Sequence, residues 1–133
     1  MDKILKIVSA EVCAVFGFLF GRADGMLYAL IAFMVIDYLT GVILAIIRRE
    51  LSSEVGFKGI SKKVLILALV AVGHILDAYV IGDGDGVVCR TAVIGFYIAN
   101  EGISILENAG ALGLPLPKKL IAILEQLKDK DDE

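Results

Sequence analysis

The chain has 133 residues, 58% of them apolar, and a formal net charge of −3; its mean hydropathy is +0.83. Soluble domains hold about 45–50% apolar residues. Here the excess is gathered in blocks, which indicates membrane spans rather than a large soluble core and predicts one all-α integral membrane domain over residues 1–133. The charges are segregated along the chain, so the net value does not point to nucleic acid. Cys13 and Cys89 fall in different apolar segments and read as packing residues rather than a disulfide framework.

Residues 4–20, ILKIVSAEVCAVFGFLF, form the first apolar block. Its uncharged run, Val12 to Phe20, is too short to span, so a span must include Glu11 and Lys6. Three readings are open. The block is a short span with Lys3 and Lys6 snorkelling to the cytoplasmic side, an amphipathic helix in the interface, or a signal peptide. Glu11 inside the run and the lack of a small-x-small site argue against the last, and the span is preferred. Glu11 would be a polar contact inside the bundle or, in a transporter, a proton site.

Residues 27–47, LYALIAFMVIDYLTGVILAII, are the strongest span, with a single charge, Asp37, at the centre. At about 1.5 Å per residue the block is roughly 31 Å long, one hydrocarbon core. Its twelve Leu, Ile, Phe and Val residues favour insertion by roughly 4–7 kcal/mol together, against about 2.5–3.5 kcal/mol for a central Asp. Insertion wins. Asp37 is then a functional candidate by position or a structural hydrogen-bonding group to a neighbouring helix. Gly41 and Ala45 are candidate helix-packing positions.

Residues 48–63, RRELSSEVGFKGISKK, read as a basic loop. A third span is predicted over 64–81, a Gly-Asp turn over 82–86, and a fourth span over 87–106. The GDGDG turn lacks the remaining ligands of a twelve-residue calcium loop and reads as a hairpin. Eleven Lys and Arg fall in the N-terminus, the 48–63 loop and the tail, and two, Arg22 and Arg90, fall near the other side. The positive-inside rule places the three rich segments in the cytoplasm. Three to four transmembrane helices fit, with four preferred because both termini are then cytoplasmic.

On the fourth span Arg90, Tyr97, Glu101, Ser104 and Asn108 share an arc of roughly 60° at about 100° per residue. Ala92, Gly95, Ala99 and Gly102 lie nearly opposite. The polar face must avoid lipid, by packing inside the bundle or by lining water. The small face permits close helix approach. In the third span His74 and Asp77 share a face. Asp77 and Arg90 stand at similar depth about the turn and are expected to form an ion pair. His74 is a proton site or, more simply, a hydrogen-bonded structural residue. No catalytic spacing, metal-ligand cluster or phosphate loop is present, so no enzyme, cofactor or metal is expected.

The tail, 113–133, opens on Pro115 and Pro117 and continues into a short amphipathic helix carrying Leu120, Leu124 and Leu127. Such a helix can lie on the inner surface, dock onto the loop or mediate association. The closing DKDDE reads as a solvated end.

Four stretches together resemble the toxin-secretion/phage-lysis holins: Asp37-Tyr38-Leu39-Thr40-Gly41, SSEVGFKGISKK at 52–63, FYIANEGISILEN at 96–108 and GLPLPKKL at 113–120. The acidic end departs from the basic tails common among holins. The resemblance implies homo-oligomers that accumulate in the bacterial cytoplasmic membrane and permeabilise it. A cell-wall hydrolase (endolysin) or toxin then passes without direct contact, and an antiholin can regulate the process. Two other readings stay open: a small proton-coupled exporter with Glu11 as its proton site, and an antiholin-type regulator.

Overall fold

A computed structural model describes residues 2–82 and 87–132. Among them are five helices and no strand: α1 (Asp2–Phe20), α2 (Gly25–Ile47), α3 (Ser53–Ile75), α4 (Val88–Ala111) and α5 (Lys118–Asp132). The turn expected over 82–86 lies, from Asp83 to Gly86, outside the described residues.

Local chemistry fixes the helix ends. Asp24 caps α2, its Oδ1 accepting from the Leu27 N–H at 3.0 Å, and Ser52 Oγ caps α3 by accepting from Val55 N–H at 3.1 Å. At the end of α2 the Glu50 N–H reaches the Ala45 carbonyl at 2.8 Å and the Arg49 N–H reaches Ile46 at 3.1 Å. This is a Schellman stop, with Arg49 in the left-handed region (φ 57°) where glycine is usual. The end of α4 repeats the pattern with Gly113 at φ 95°, Leu114 N–H bonding Ala109 and Gly113 N–H bonding Gly110.

These caps correct one expectation. The segment 48–63 is a loop only as far as Ser52, and α3 starts at Ser53. Its first turns carry Lys58, Lys62, Lys63 and two glycines, which masked a helix that continues into the apolar block. At its far end α3 widens into a π-helical turn, Leu76–Val80, closed by Ile81 N–H on the Leu76 carbonyl at 2.8 Å.

Helix α4 is central: α2, α3 and α5 all pack on it, while α1 packs on α3. One apolar cluster joins Leu27, Leu30 and Met34 of α2, Ile66 and Val70 of α3, and Ile94 of α4. Most other large apolar side chains face outward, among them Val35, Ile36, Leu39, Ile43 and Ile46 on α2 and Val64, Leu65, Leu69 and Val72 on α3. Exposed apolar surface on this scale is incompatible with water and fits lipid. Helix α2, with mean hydropathy 2.5, and the 53–80 helix, at 1.9, are long and apolar enough to cross a membrane. Only 11% and 28% of their apolar windows are buried, the reverse of soluble core helices.

By the same measure α1 and α4 fall short of the four spans expected. Helix α1 carries Asp2, Lys3, Lys6 and Glu11 and buries no residue. Helix α4 carries Arg90, Glu101 and Glu107; the first two are buried inside the bundle at 4% exposure, and Glu107 is exposed near the helix end.

Helix α5 folds back along α4. Leu124 is buried, with side-chain atoms 3.0 Å from where a Cβ on Gly102 would stand, and Phe33 of α2 is 3.2 Å from the same point. The glycine is what allows the close approach. Gly95, Ala99 and Gly102 of the small face are thus buried within the chain, whereas Ala92 is exposed.

Candidate functional site

The helices hold two polar clusters at opposite ends of the bundle. The first joins α2, α3 and α4. Lys63 Nζ donates to Asp37 Oδ2 and to Glu101 Oε2, both at 2.8 Å. The other Asp37 oxygen accepts from Asn108 Nδ2 at 3.2 Å. Asn108 also donates to Thr40 Oγ1 at 2.9 Å, and Thr40 returns its hydroxyl proton to the Ile36 and Asp37 carbonyls. Side-chain exposures are 18% for Lys63, 15% for Asp37 and 5% for Glu101. Three charged groups from three helices therefore meet where lipid cannot solvate them, and mutual pairing makes that placement tolerable.

This cluster borders a cavity of about 620 Å³. Tyr97, Asn100 and Ser104 line it beside the ionic groups, with Gly41 and Ala45 on the α2 wall and Ile66 and Leu69 on the α3 wall. The predicted polar face of α4 is thus gathered here for Tyr97, Glu101, Ser104 and Asn108, opposite Asp37. Arg90 lies eleven residues earlier, about 16 Å along the helix.

Arg90 belongs to the second cluster. Its Nε donates to the Phe20 carbonyl, Nη1 to Asp24 Oδ2 and Nη2 to the Arg22 carbonyl, each at 2.8 Å. One guanidinium thus ties the α1–α2 linker to the start of α4. The Arg90 bond is also the main reason that the Asp24 carboxyl titrates below its ordinary value.

The ion pair expected between Asp77 and Arg90 is not formed through the guanidinium. Asp77 Oδ1 accepts from the Cys89 N–H at 2.9 Å and Oδ2 from the Arg90 N–H at 2.8 Å. The residue before α4, Val87, supplies no side-chain cap, so Asp77 caps that helix from a neighbouring element, and the π turn carries it there. Gly73 permits the approach: a Cβ on it would lie 3.1 Å from the Cys89 carbonyl oxygen. His74 stands apart from the cavity, against Gly21 and edge-on to Tyr79. Glu11 is exposed on α1, outside the cavity.

Sequence reasoning missed Lys63, counted as a loop charge, and Asp24. Both had a signal. Asp37 and Lys63 stand at equal distances from Glu50, the middle of the α2–α3 connection, so a helical hairpin sets them face to face. Asp24 precedes a glycine and a long apolar run, the pattern of an N-cap. No group of His, Cys, Asp and Glu that could hold a metal occurs among the described residues.

Residues 14–129 match the bacteriophage holin family. The chain belongs to that family. It is also 34% identical to a probable holin of Bacillus phage phi105 over 116 residues, 87% of this chain and 83% of that protein. An uncharacterized protein of Clostridium perfringens, encoded in the nagH 3′ region, is 47% identical over 98% of this chain and 99% of its own length. An uncharacterized Listeria monocytogenes protein is 43% identical over 100% and 95%. No solved structure matches.

Proposed function

We propose that this protein is a holin that inserts in the bacterial cytoplasmic membrane, assembles with copies of itself and permeabilises the bilayer. The observation that carries the reading is the charged cavity itself. Asp37, Lys63, Glu101, Ser104 and Asn108 are enclosed by helices whose outer faces suit lipid. In the closed subunit these groups satisfy one another; in an assembly they supply a surface that water can wet. Loss of the barrier would release a cell-wall hydrolase or a toxin.

In this reading α1 to α4 cross the membrane, with both termini and the α2–α3 connection cytoplasmic. The eleven-to-two distribution of Lys and Arg supports that orientation. The burial of Arg90 and Glu101 supports a crossing by α4, whose third charge, Glu107, is exposed near the helix end. Reporter fusions at Gly82 and at the C-terminus should report opposite sides, and an N-terminal fusion found outside would remove α1 from the spans. Glu11, the candidate proton site of an exporter, lies outside the cavity, which favours the holin reading.

The deciding experiment is induced expression with and without a cell-wall hydrolase while membrane potential is followed. A holin gives a delay, then abrupt depolarisation, with lysis only when the hydrolase is present. Sustained potential refutes the reading, and postponed lysis by a co-expressed holin identifies an antiholin.

A further inference from the structure

We propose that Tyr38 is the seal that closes the polar cavity toward the lipid side of the α2–α3 seam. The inference rests on the holin reading and names the residue on which opening depends.

Two recesses meet at this seam. One is the polar cavity; the other is an outward-facing groove lined by Leu39, Ser52, Phe57 and Ile60. Tyr38, Val42, Leu51 and Gly56 border both, so they form the partition. Among these four, Tyr38 spans the gap between the helices. A Cβ on Gly56 would stand 3.2 Å from its hydroxyl oxygen, and a Cβ on Gly59 would stand 3.3 and 3.4 Å from two ring carbons. The two glycines are three residues apart, one helical turn, and form a notch of the ring's length on α3. A side chain at either position would crowd the ring in its notch.

The neighbours of Tyr38 show what the seal divides. Asp37, one residue before, points inward to Lys63. Leu39, one residue after, is 54% exposed, and Phe57 across the groove is 75% exposed. The ring therefore stands between an ionic cluster and an apolar surface. Movement of the ring out of the notch makes cavity and groove continuous. Asp37 and Lys63 then reach the side of the subunit, where water and the polar groups of adjoining copies can solvate them.

The test compares Tyr38→Ala, Tyr38→Phe and Gly59→Ala with the wild type. The Ala variant removes the ring and is expected to shorten the delay before depolarisation. Phe keeps the ring and restores the wild-type delay. Gly59→Ala crowds the ring and is expected to shift the delay in the same direction as Tyr38→Ala, by a smaller amount; if Tyr38→Ala fails to accumulate, Gly59→Leu, whose larger side chain cannot share the notch with the ring, takes its place. An independent readout uses a single cysteine at Ser104, with Cys13 and Cys89 replaced by serine, in purified protein treated with a charged thiol reagent. Its labelling should be slow in the wild type and in Tyr38→Phe, and fast in Tyr38→Ala. Unchanged labelling and unchanged delay in both Tyr38→Ala and Gly59→Ala overturn the proposal, as does a Phe variant that behaves like Ala. If the wild type never depolarises cells, the holin reading fails, and the labelling comparison still decides whether Tyr38 seals the cavity.

Discussion

Lys63→Met is the most informative single change in the bundle. The lysine neutralises two carboxylates at once, with both contacts at 2.8 Å. Methionine keeps the apolar stem and leaves Asp37 and Glu101 facing each other without a counter-charge. Removing one partner of a buried pair costs about 3–5 kcal/mol, because the other charge stays buried and unpaired. Lys63 and Asp37 retain 18% and 15% exposure, so the lower end, about 3 kcal/mol, is expected here. Asp37→Asn is milder, about 1 kcal/mol, because the amide still accepts from Lys63 and a neutral Lys63–Glu101 pair remains. The measurement is reversible unfolding of purified protein in mixed micelles, extended to a double-mutant cycle. Lys63→Met with Glu101→Gln should be more stable than Lys63→Met alone, since the glutamine removes the like-charge contact; a coupling of about 0.5–3 kcal/mol is the usual range for touching groups. Additive effects, or an unperturbed Lys63→Met protein, would refute the ionic clamp.

Three further outcomes follow from the same geometry. Asp77→Ala removes the cap of α4 and should cost about 1 kcal/mol, with faster hydrogen exchange at Cys89 and Arg90, whereas Asp77→Asn should retain part of the protection. The Asp24 carboxyl titrates below its ordinary value of 3.8, chiefly through its bond to Arg90 and also through the Leu27 N–H, so its stabilisation is complete above that pH and disappears as pH falls through the lower folded-state value; melting curves of the wild type should show this acid loss, and those of Arg90→Gln should show less of it. Gly102→Leu places a branched side chain where Leu124 already stands at 3.0 Å and Phe33 at 3.2 Å and should release α5 to protease; an α5 that remains protected would refute that packing.

Much of the helical content was legible because apolar blocks of these lengths admit few alternatives. Asp37 was legible as a lone charge amid twelve large apolar residues. The polar face of α4 was legible because its spacing follows the helical period. Other features depend on which helix meets which. Lys63 sits among basic residues with two glycines nearby, and its local composition resembles a loop. It becomes an ionic partner once Ser52 caps a helix that turns it toward Asp37. Arg90 has the angular position of the polar face, yet its axial position delivers it to the Phe20–Asp24 linker instead. Of the small face of α4, Gly95, Ala99 and Gly102 are buried within the chain and Ala92 is exposed. That Leu124 covers Gly102 depends on the Gly113 stop, which sends α5 back along α4.

The two clusters give the bundle ends of different character. Toward Arg90, the guanidinium, the Asp77 cap and the cluster of Leu27, Leu30, Met34, Val70 and Ile94 bind α2, α3, α4 and the linker through backbone and core contacts. Toward the α2–α3 connection the same helices enclose a cavity, and the contacts bordering it include two charge pairs, one amide and one aromatic ring. Apolar packing cannot be traded for water without loss, because lipid and core are equally dry. Ionic and hydrogen-bonded contacts can be, since water and neighbouring polar groups satisfy the same donors and acceptors. Under the proposed holin function, the cavity end is therefore the one that assembly would open at low cost, with the Arg90 end as the fixed point about which the helices would separate. Under that proposal, the asymmetry would let one sequence serve both as a stable inserted subunit and as a component of a wetted assembly.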